Sequence, residues 1–474
     1  MSSFSKVLIA NRGEVALRIA RTCRELGLTT AAVFTPPDRG TPHAEGADEA
    51  IEIPSYLDIA ATVAAARRSG AGAVHPGYGF LSQNPAFAEA CADAGIVFVG
   101  PSAEAMRRMG DKQEARRTAE AAGVPVTPGT GVLDGDAAVL AAVRKIGLPV
   151  MLKAAAGGGG KGLRRIEKED GLALEVQAAR REAEGAFGDG RLFAEKLVAP
   201  ARHVEVQVVA DGKGGVFALG ERDCTLQRRF QKIVEEAPSP AVDDALRAKL
   251  EEAAVRLARA AGYANAGTVE FLLRPDGSFF FMEMNTRLQV EHPVTELVRG
   301  VDLVRLQLEI AQGAPLSLPS AAPGGHAIEA RLYAEDPDGG FLPMSGRILR
   351  LAWPPGIRIE HALREGMEQG PDYDPLLAKL IARGKDREGA RRRLLDALRG
   401  TLLLGVATNQ SYLIRLLESA EFVRGELRVD RLPELPPETL PPALWAAAVA
   451  RPAAPRRRAP RTAWETLGRW RVGG

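Results

Sequence analysis

Thr268-Val269-Glu270-Phe271-Leu272-Leu273-Arg274-Pro275-Asp276-Gly277-Ser278-Phe279-Phe280-Phe281-Met282-Glu283-Met284-Asn285 reads as two strands joined across Asp276-Gly277, a hairpin-type dipeptide. Each strand interrupts an apolar run with an ionisable or amide group, which is expensive to bury unpaired. Side chains alternate across a strand, so Glu283 and Asn285 share a face, and the hairpin sets Glu270 opposite them. Two carboxylates and an amide supply oxygen ligands suited to magnesium, which also takes phosphate and water oxygens. Any one of these residues alone also suits the solvated face of an antiparallel sheet. The triplet between apolar neighbours favours the metal.

Working outward, His203 to Val209 and Val216 to Glu221 add strands to a mostly antiparallel sheet. Immediately after the hairpin, Thr286-Arg287-Leu288-Gln289-Val290-Glu291-His292-Pro293 places a guanidinium, an amide and a carboxylate beside the proposed metal. Arginine grips a small planar oxyanion bidentately, and a nearby glutamate can take its proton. Taken alone, Arg287 and Glu291 also read as a loop salt bridge.

Upstream, Pro125 to Arg202 carries a helix, the strand Pro149 to Lys153, the glycine run Gly157 to Gly160, the strand Leu163 to Ile166 and a long helix. This is a small lobe with a flexible lid. Glycines let backbone amides approach phosphate oxygens. The run leads into a strand and lacks the Gly-Lys-Ser/Thr ending of a Walker loop. Two readings stand side by side: a hairpin over a nucleotide, and an exposed turn.

The first hundred residues alternate short apolar runs (Val7 to Ala10, Thr30 to Phe34, Ala71 to His75, Ile96 to Val99) with the helical patterns Glu14 to Leu26, Tyr56 to Ser69 and Pro85 to Ala94. That is an α/β doubly wound pattern. Asn11-Arg12-Gly13-Glu14 replaces a GxGxxG turn, so dinucleotide binding is not supported. His75-Pro76-Gly77-Tyr78-Gly79-Phe80 forms a glycine-rich turn at a strand's carboxyl end, the ligand face of such sheets; its aromatics also suit plain packing. After Ala327, strands mix with the helix Arg387 to Leu398.

At 474 residues the chain is about three times the usual ~150-residue domain. Its 46% hydrophobic and 26% charged residues exclude a disordered or fibrous protein. Lysine plus arginine number 62 against 60 acidic residues, and this +2 balance gives no reason to expect nucleic acid or membrane partners. Cys23, Cys91 and Cys224 form no metal or disulfide pattern, which suits a reducing, cytoplasmic setting. No apolar run approaches ~18 residues and the start lacks a signal peptide's apolar core, so a soluble, unexported protein is expected.

Taken together and in order, these segments resemble the biotin carboxylase family, within the ATP-grasp superfamily, from about Lys6 to about Leu432. The carrying pieces include Ala10-Asn11-Arg12-Gly13-Glu14, His75 to Ser82, Met109-Gly110-Asp111-Lys112, the glycine run, Arg202-His203-Val204-Glu205, Glu221-Arg222-Asp223-Cys224, Glu235-Glu236-Ala237-Pro238, Glu283 to Arg287 and Gln289 to Pro293. The resemblance implies an N-terminal doubly wound domain (1–123), a central ATP-grasp domain (124–325, lid lobe about 125–202), a mixed α+β C-terminal domain (326–434) and a Pro/Ala/Arg-rich linker and tail (435–474).

It also implies a reaction in two steps. ATP and bicarbonate give ADP and carboxyphosphate, whose carbon dioxide passes to a ureido nitrogen of biotin on a carrier, the first half-reaction of an acyl-CoA carboxylase such as acetyl-CoA carboxylase. By family position, Lys112, Lys153 and Lys232 neutralise phosphate and bicarbonate charge, and Gly159 and Gly160 cover the phosphates. Backbone groups of Glu195-Lys196-Leu197-Val198 hold adenine, and His203 and Gln227 contact sugar and phosphates. Glu270 and Glu283, with Asn285, hold magnesium or manganese. Arg287, Gln289 and Val290 seat bicarbonate, Glu291 is its base, Arg331 stabilises biotin's enolate oxygen, and Tyr78 lies in the biotin-side loop.

Three positions depart from the family: Phe230 where histidine is common, Gln83 for glutamate and Lys161 for arginine. There is no Ala-Met-Lys-Met biotin attachment sequence. The expected partners are therefore a separate biotin carboxyl carrier protein or domain, a carboxyltransferase subunit and, as in many relatives, a second copy in a homodimer. The end carries Trp464 and Trp470. They are expected to fold back on the chain, dock on a partner, or open a further segment of a longer α chain. The rival readings are another ATP-grasp ligase and a nucleotide-binding regulatory subunit.

Overall fold

The computed structural model describes residues 4–155, 162–229, 231–319 and 324–435. Gly159, Gly160, Lys161, Phe230 and the tail with Trp464 and Trp470 lie outside the described residues. The chain divides into the compact unit Met1–Glu434 and the remainder Leu435–Gly474, of which only Leu435 is described.

Three sheets organise the first unit. The N-terminal one contains β1 (Lys6–Ile9), β2 (Thr29–Phe34), β3 (Glu49–Glu52), β4 (Ala73–His75) and β5 (Val97–Phe98) in the order β3-β2-β1-β4-β5. Every pairing in it is parallel. The inner strands β1, β2 and β4 read as apolar runs because both faces are covered. Val7 and Ile9 pack with Ile19 and Cys23 on one side, while Leu8 packs with Val33, Phe87 and Cys91 on the other. Helix Ile59–Ser69 begins where Asp58 caps the Ala61 N–H, and helix Pro85–Asp93 where Asn84 caps the chain ahead of a first-turn proline. The strand β3 escaped the sequence reading. It is a short edge strand in which only Ile51 is buried and glutamates flank it, a polar edge that blunts further pairing.

The lid lobe has β6 (Val150–Ala154), β7 (Leu163–Ile166) and β8 (Leu192–Lys196), antiparallel in the order β7-β6-β8. Helices Asp136–Ile146 and Leu172–Phe187 cover it through Val139, Val143 and Val176 against Leu152 and Ala194. β8 has only three buried residues before Glu195 and Lys196, too short an apolar run to stand out by pattern.

The third sheet is the largest. It is formed by β9 (Arg202–Ala210), β10 (Val216–Arg228), β11 (Gln231–Ala237), β12 (Asn265–Leu273), β13 (Phe279–Asn285), β14 (His326–Tyr333), β15 (Arg358–His361) and β16 (Leu376–Gly384). Their order is β13-β12-β9-β10-β11-β14-β16-β15, antiparallel throughout. Strand alternation separates its faces. Val204, Val206, Val208, Val269 and Phe271 pack against Leu250 and Leu257 of helix Asp244–Ala260. His203, Glu205, Gln207 and Glu270, one residue out of step, all fall on the opposite face and are buried as well. Among the described residues no helix is long and apolar enough to cross a membrane.

Candidate active site

The polar face of this sheet forms the floor of a cavity of about 510 Å³ whose roof comes from the lid lobe. Register sets its centre. Glu270 of β12 stands directly opposite Glu283 of β13, and Thr268 opposite Asn285, as the hairpin reading requires. Glu283 faces the open cavity and makes no hydrogen bond or ion pair with any described residue. Desolvation, then the like charge of Glu270, raises its pKa. A carboxylate pair of this kind, opening on a cavity, fits a divalent cation, whose charge would relieve the repulsion.

Asn285 Nδ2 donates to Glu270 Oε1 at 2.9 Å, and its Oδ1 accepts from Arg287 at 3.2 Å. Arg287 also donates to Gln289 Oε1 at 2.8 Å, and Gln289 Nε2 reaches Glu270 at 3.2 Å. A chain of amides thus ties the metal-type carboxylate to the guanidinium and fixes its plane.

Lys232 joins this group to Glu291. Its Nζ lies 2.5 Å from Glu205, 2.8 Å from Glu270 and 2.7 Å from Glu291. Burial pulls the lysine's pKa down, but these three carboxylates outweigh it and hold it well above its usual value. Burial likewise presses Glu291 upward, yet Lys232, then Arg331 and Arg222, keep it well below the usual carboxylate range. Glu270 is held low in the same way, against burial, by Lys232 and His203. Arg331 is fixed in turn, its Nε donating to Glu235 at 2.6 Å and its Nη2 to Glu291 at 3.1 Å.

The residues expected at a nucleotide line the other end. Lys153 pairs with Glu195 at 2.5 Å, and Lys112 and Lys153 lie 5.9 and 5.8 Å from the centre of the Phe193 ring. Burial, then the neighbouring Lys153, lowers the Lys112 pKa. Gln227 Nε2 donates to His203 Nδ1 at 2.6 Å. The other ring nitrogen, Nε2, lies 3.2 Å from Glu270.

Among the residues singled out from sequence, Lys112, Lys153, Glu195, His203, Gln227, Lys232, Glu270, Glu283, Asn285, Arg287, Gln289, Val290, Glu291 and Arg331 all line this one cavity. Lys196, Leu197, Val198 and Tyr78 do not line it. The N–H groups of Lys196 and Leu197 are taken by the Pro128 and Pro149 carbonyls at 2.7 and 3.0 Å, and the Lys196 ammonium by the Gly147 and Leu148 carbonyls at 2.9 and 2.8 Å. The Tyr78 hydroxyl donates to Glu14. Gln83 accepts the Thr286 N–H at 2.9 Å, so its amide anchors the start of the Arg287 segment.

Sequence reasoning missed Arg116, which lines the cavity 3.5 Å from Glu195, and the support beneath it. Arg222 is wholly buried and grips Glu205 at 2.5 Å and Gln207 and Thr295 at 2.9 Å. The signal was present in Val204-Glu205-Val206 and in Glu221-Arg222-Asp223. Charged residues inside otherwise apolar strands are buried only with partners.

Comparison with known proteins gives the same outline. The profile "Biotin carboxylase, N-terminal domain" matches residues 3–106, "Carbamoyl-phosphate synthase L chain, ATP binding domain" matches 111–318, and "Biotin carboxylase C-terminal domain" matches 329–434. The chain is 48% identical over 443 residues to the biotin carboxylase of Nostoc sp., covering 91% of this chain and 99% of that one. It is 47% identical over 451 residues to the mitochondrial methylcrotonoyl-CoA carboxylase subunit alpha of Rattus norvegicus, covering 93% of this chain but 63% of that one. The biotin carboxylase–β,γ-ATP complex from Campylobacter jejuni superposes with a TM-score of 0.88 at 42% identity, over 90% of this chain and 98% of that one. The biotin carboxylase domain dimer of Hydrogenobacter thermophilus 2-oxoglutarate carboxylase, in complex with MgADP, ADP and bicarbonate, also gives 0.88 at 42% identity, over 90% and 97% of the two chains.

Proposed function

The chain belongs to the biotin carboxylase family, and from that premise we propose how its own residues carboxylate biotin with ATP and bicarbonate. The observation that carries the reading is the convergence of Lys232, Glu291, Arg287 and Arg331 on the cavity that also holds the Glu270–Glu283 pair.

ATP enters with its phosphates toward Lys112 and Lys153 and its base toward Glu195. Glu270 and Glu283, with Asn285 beside them, would hold the divalent cation, magnesium or manganese, which would supply positive charge to offset that of the phosphates. Arg287, Gln289 and the Val290 backbone seat bicarbonate. Glu291, ionised because three cations surround it, removes the bicarbonate proton. The bicarbonate oxygen then attacks the γ-phosphorus, its bond to ADP breaks, and carboxyphosphate forms. Lys232 and Arg287 stabilise the anionic charge that builds up. Carboxyphosphate then splits into carbon dioxide and phosphate, the phosphate takes the ureido N–H proton of biotin, and the enolate so formed, its oxygen facing Arg331, bonds carbon dioxide through that nitrogen.

The biotin arrives on a carrier protein or domain, and the carboxyl group leaves for a carboxyltransferase. We assign the chain to a homodimer and, from its three unpaired cysteines, to the cytoplasm. The test is ATP hydrolysis by the purified chain. The reading requires ADP release that depends on bicarbonate and rises with free biotin. A chain that binds ATP without biotin-dependent turnover contradicts it.

A further inference from the structure

Leu376-Leu377-Ala378-Lys379-Leu380-Ile381-Ala382 in β16 is apolar except for one lysine, and Lys379 is completely buried. A lone ammonium in such a strand is stable only if its donors are satisfied. Lys379 stands directly opposite Arg331 on β14, and its Nζ donates to the Val290 carbonyl at 2.9 Å and lies 3.1 Å from Glu14 Oε1. Glu14 sits in the first turn of helix Gly13–Glu25, where the helix dipole favours a carboxylate, and accepts the Tyr78 hydroxyl. The Tyr78 turn is itself pinned, because Asn11 Nδ2 donates to the Pro76 and Tyr78 carbonyls at 2.7 Å each.

We propose that Lys379 is a positioning residue that fixes the bicarbonate seat and the biotin-side turn in a single register. Resting on the function argued above, the idea assigns Lys379 no contact with either substrate. The ammonium holds the Val290 carbonyl from behind, which orients the Gln289–Glu291 segment toward the cavity. The same ammonium holds Glu14, and through Glu14 the Tyr78 hydroxyl. Displacing either end disturbs the other, while the nucleotide end, built from β6, β8 and β9, is left as it is.

The test is steady-state kinetics of the full chain with free biotin, comparing the unsubstituted enzyme with Lys379→Met, Lys379→Arg and Tyr78→Phe. Lys379→Met is expected to raise the KM for bicarbonate and for biotin together by about tenfold, with ATP affinity in a direct binding assay unchanged. Lys379→Arg keeps a cation and is expected to recover part of the bicarbonate KM. Tyr78→Phe, although Tyr78 does not line the cavity, is expected to raise the bicarbonate KM as well, and its effect is expected to be non-multiplicative with Lys379→Met. An unchanged bicarbonate KM in both Lys379→Met and Tyr78→Phe overturns the assignment, as does an equal loss of ATP affinity. If Lys379→Met does not fold, Tyr78→Phe alone decides by the same criterion. An unsubstituted chain without bicarbonate-dependent turnover overturns the function and this inference together; normal turnover with unmoved KM values overturns only the inference.

Discussion

Lys232 holds Glu291 at 2.7 Å while also holding Glu205 and Glu270, so the proposed base and a proposed metal ligand share one cation. A shared cation makes each carboxylate's ionisation depend on the others.

Replacing Lys232 by methionine removes the leading attractive charge on Glu291 and leaves three buried carboxylates without it. The loss of fold stability is expected to be about 3–5 kcal/mol, read by chemical denaturation. Carboxylation is expected to fall by roughly 100- to 1,000-fold. The pH profile gives a second reading. In the intact protein Glu291 is depressed, so it stays ionised above the ordinary carboxylate value of about 4.3, and the stability it contributes disappears only as pH falls below that value. In the Lys232→Met protein the residual rate is expected to fail at a higher pH than in the parent.

Glu270→Gln and Glu283→Gln each remove one charge from the cross-strand pair. Bicarbonate-dependent ATP hydrolysis is expected to drop by about 100-fold in each, equivalent to about 3 kcal/mol of electrostatic stabilisation. Titration of magnesium against activity is expected to show weaker metal dependence in both. Unaltered magnesium dependence would remove these residues from the metal site.

Glu329 of β14 offers a test at the level of stability. It is completely buried, paired in register with Glu235, and neither of its oxygens has a hydrogen-bond partner among the described residues. Burial raises its pKa well above the usual carboxylate value, against the pull of Lys379. An acid raised on folding contributes stability that is whole below its unfolded pKa and is lost as pH climbs toward the folded one. Glu329→Gln cannot ionise. The substituted chain is expected to gain on the parent by up to about 1.4 kcal/mol per pH unit above about pH 5, measured as the difference in urea midpoints. A pH-independent difference contradicts a protonated Glu329.

How much of this was legible beforehand varies with the physics. The Glu270–Glu283 register followed from period-two alternation and one Asp-Gly turn, both local signals, and the structure has that pairing. The parallel N-terminal strands were visible because burial on both faces leaves unbroken apolar runs. Polar or brief strands such as Glu49–Glu52 and Leu192–Lys196 were not, since tertiary pairing rather than pattern creates them. In the site, Arg287 and Glu291 stood out by their spacing, but Arg222, Lys379 and Arg116 did not. The partners that place them in the site lie far away in sequence, as with Arg222 and Glu205, Lys379 and Val290, or Arg116 and Glu195, and only folding brings them together.

The most direct measurement is transfer of labelled carbon from bicarbonate to free biotin, followed in the intact chain and in Glu291→Gln with ATP and magnesium present. The account predicts labelled carboxybiotin in step with ADP from the intact chain, and a loss of both by at least about 100-fold in Glu291→Gln, the usual scale for a general base, with ATP binding preserved. Labelled carboxybiotin formed at the parent rate by Glu291→Gln, or ADP release from the intact chain with no label on biotin, would contradict it.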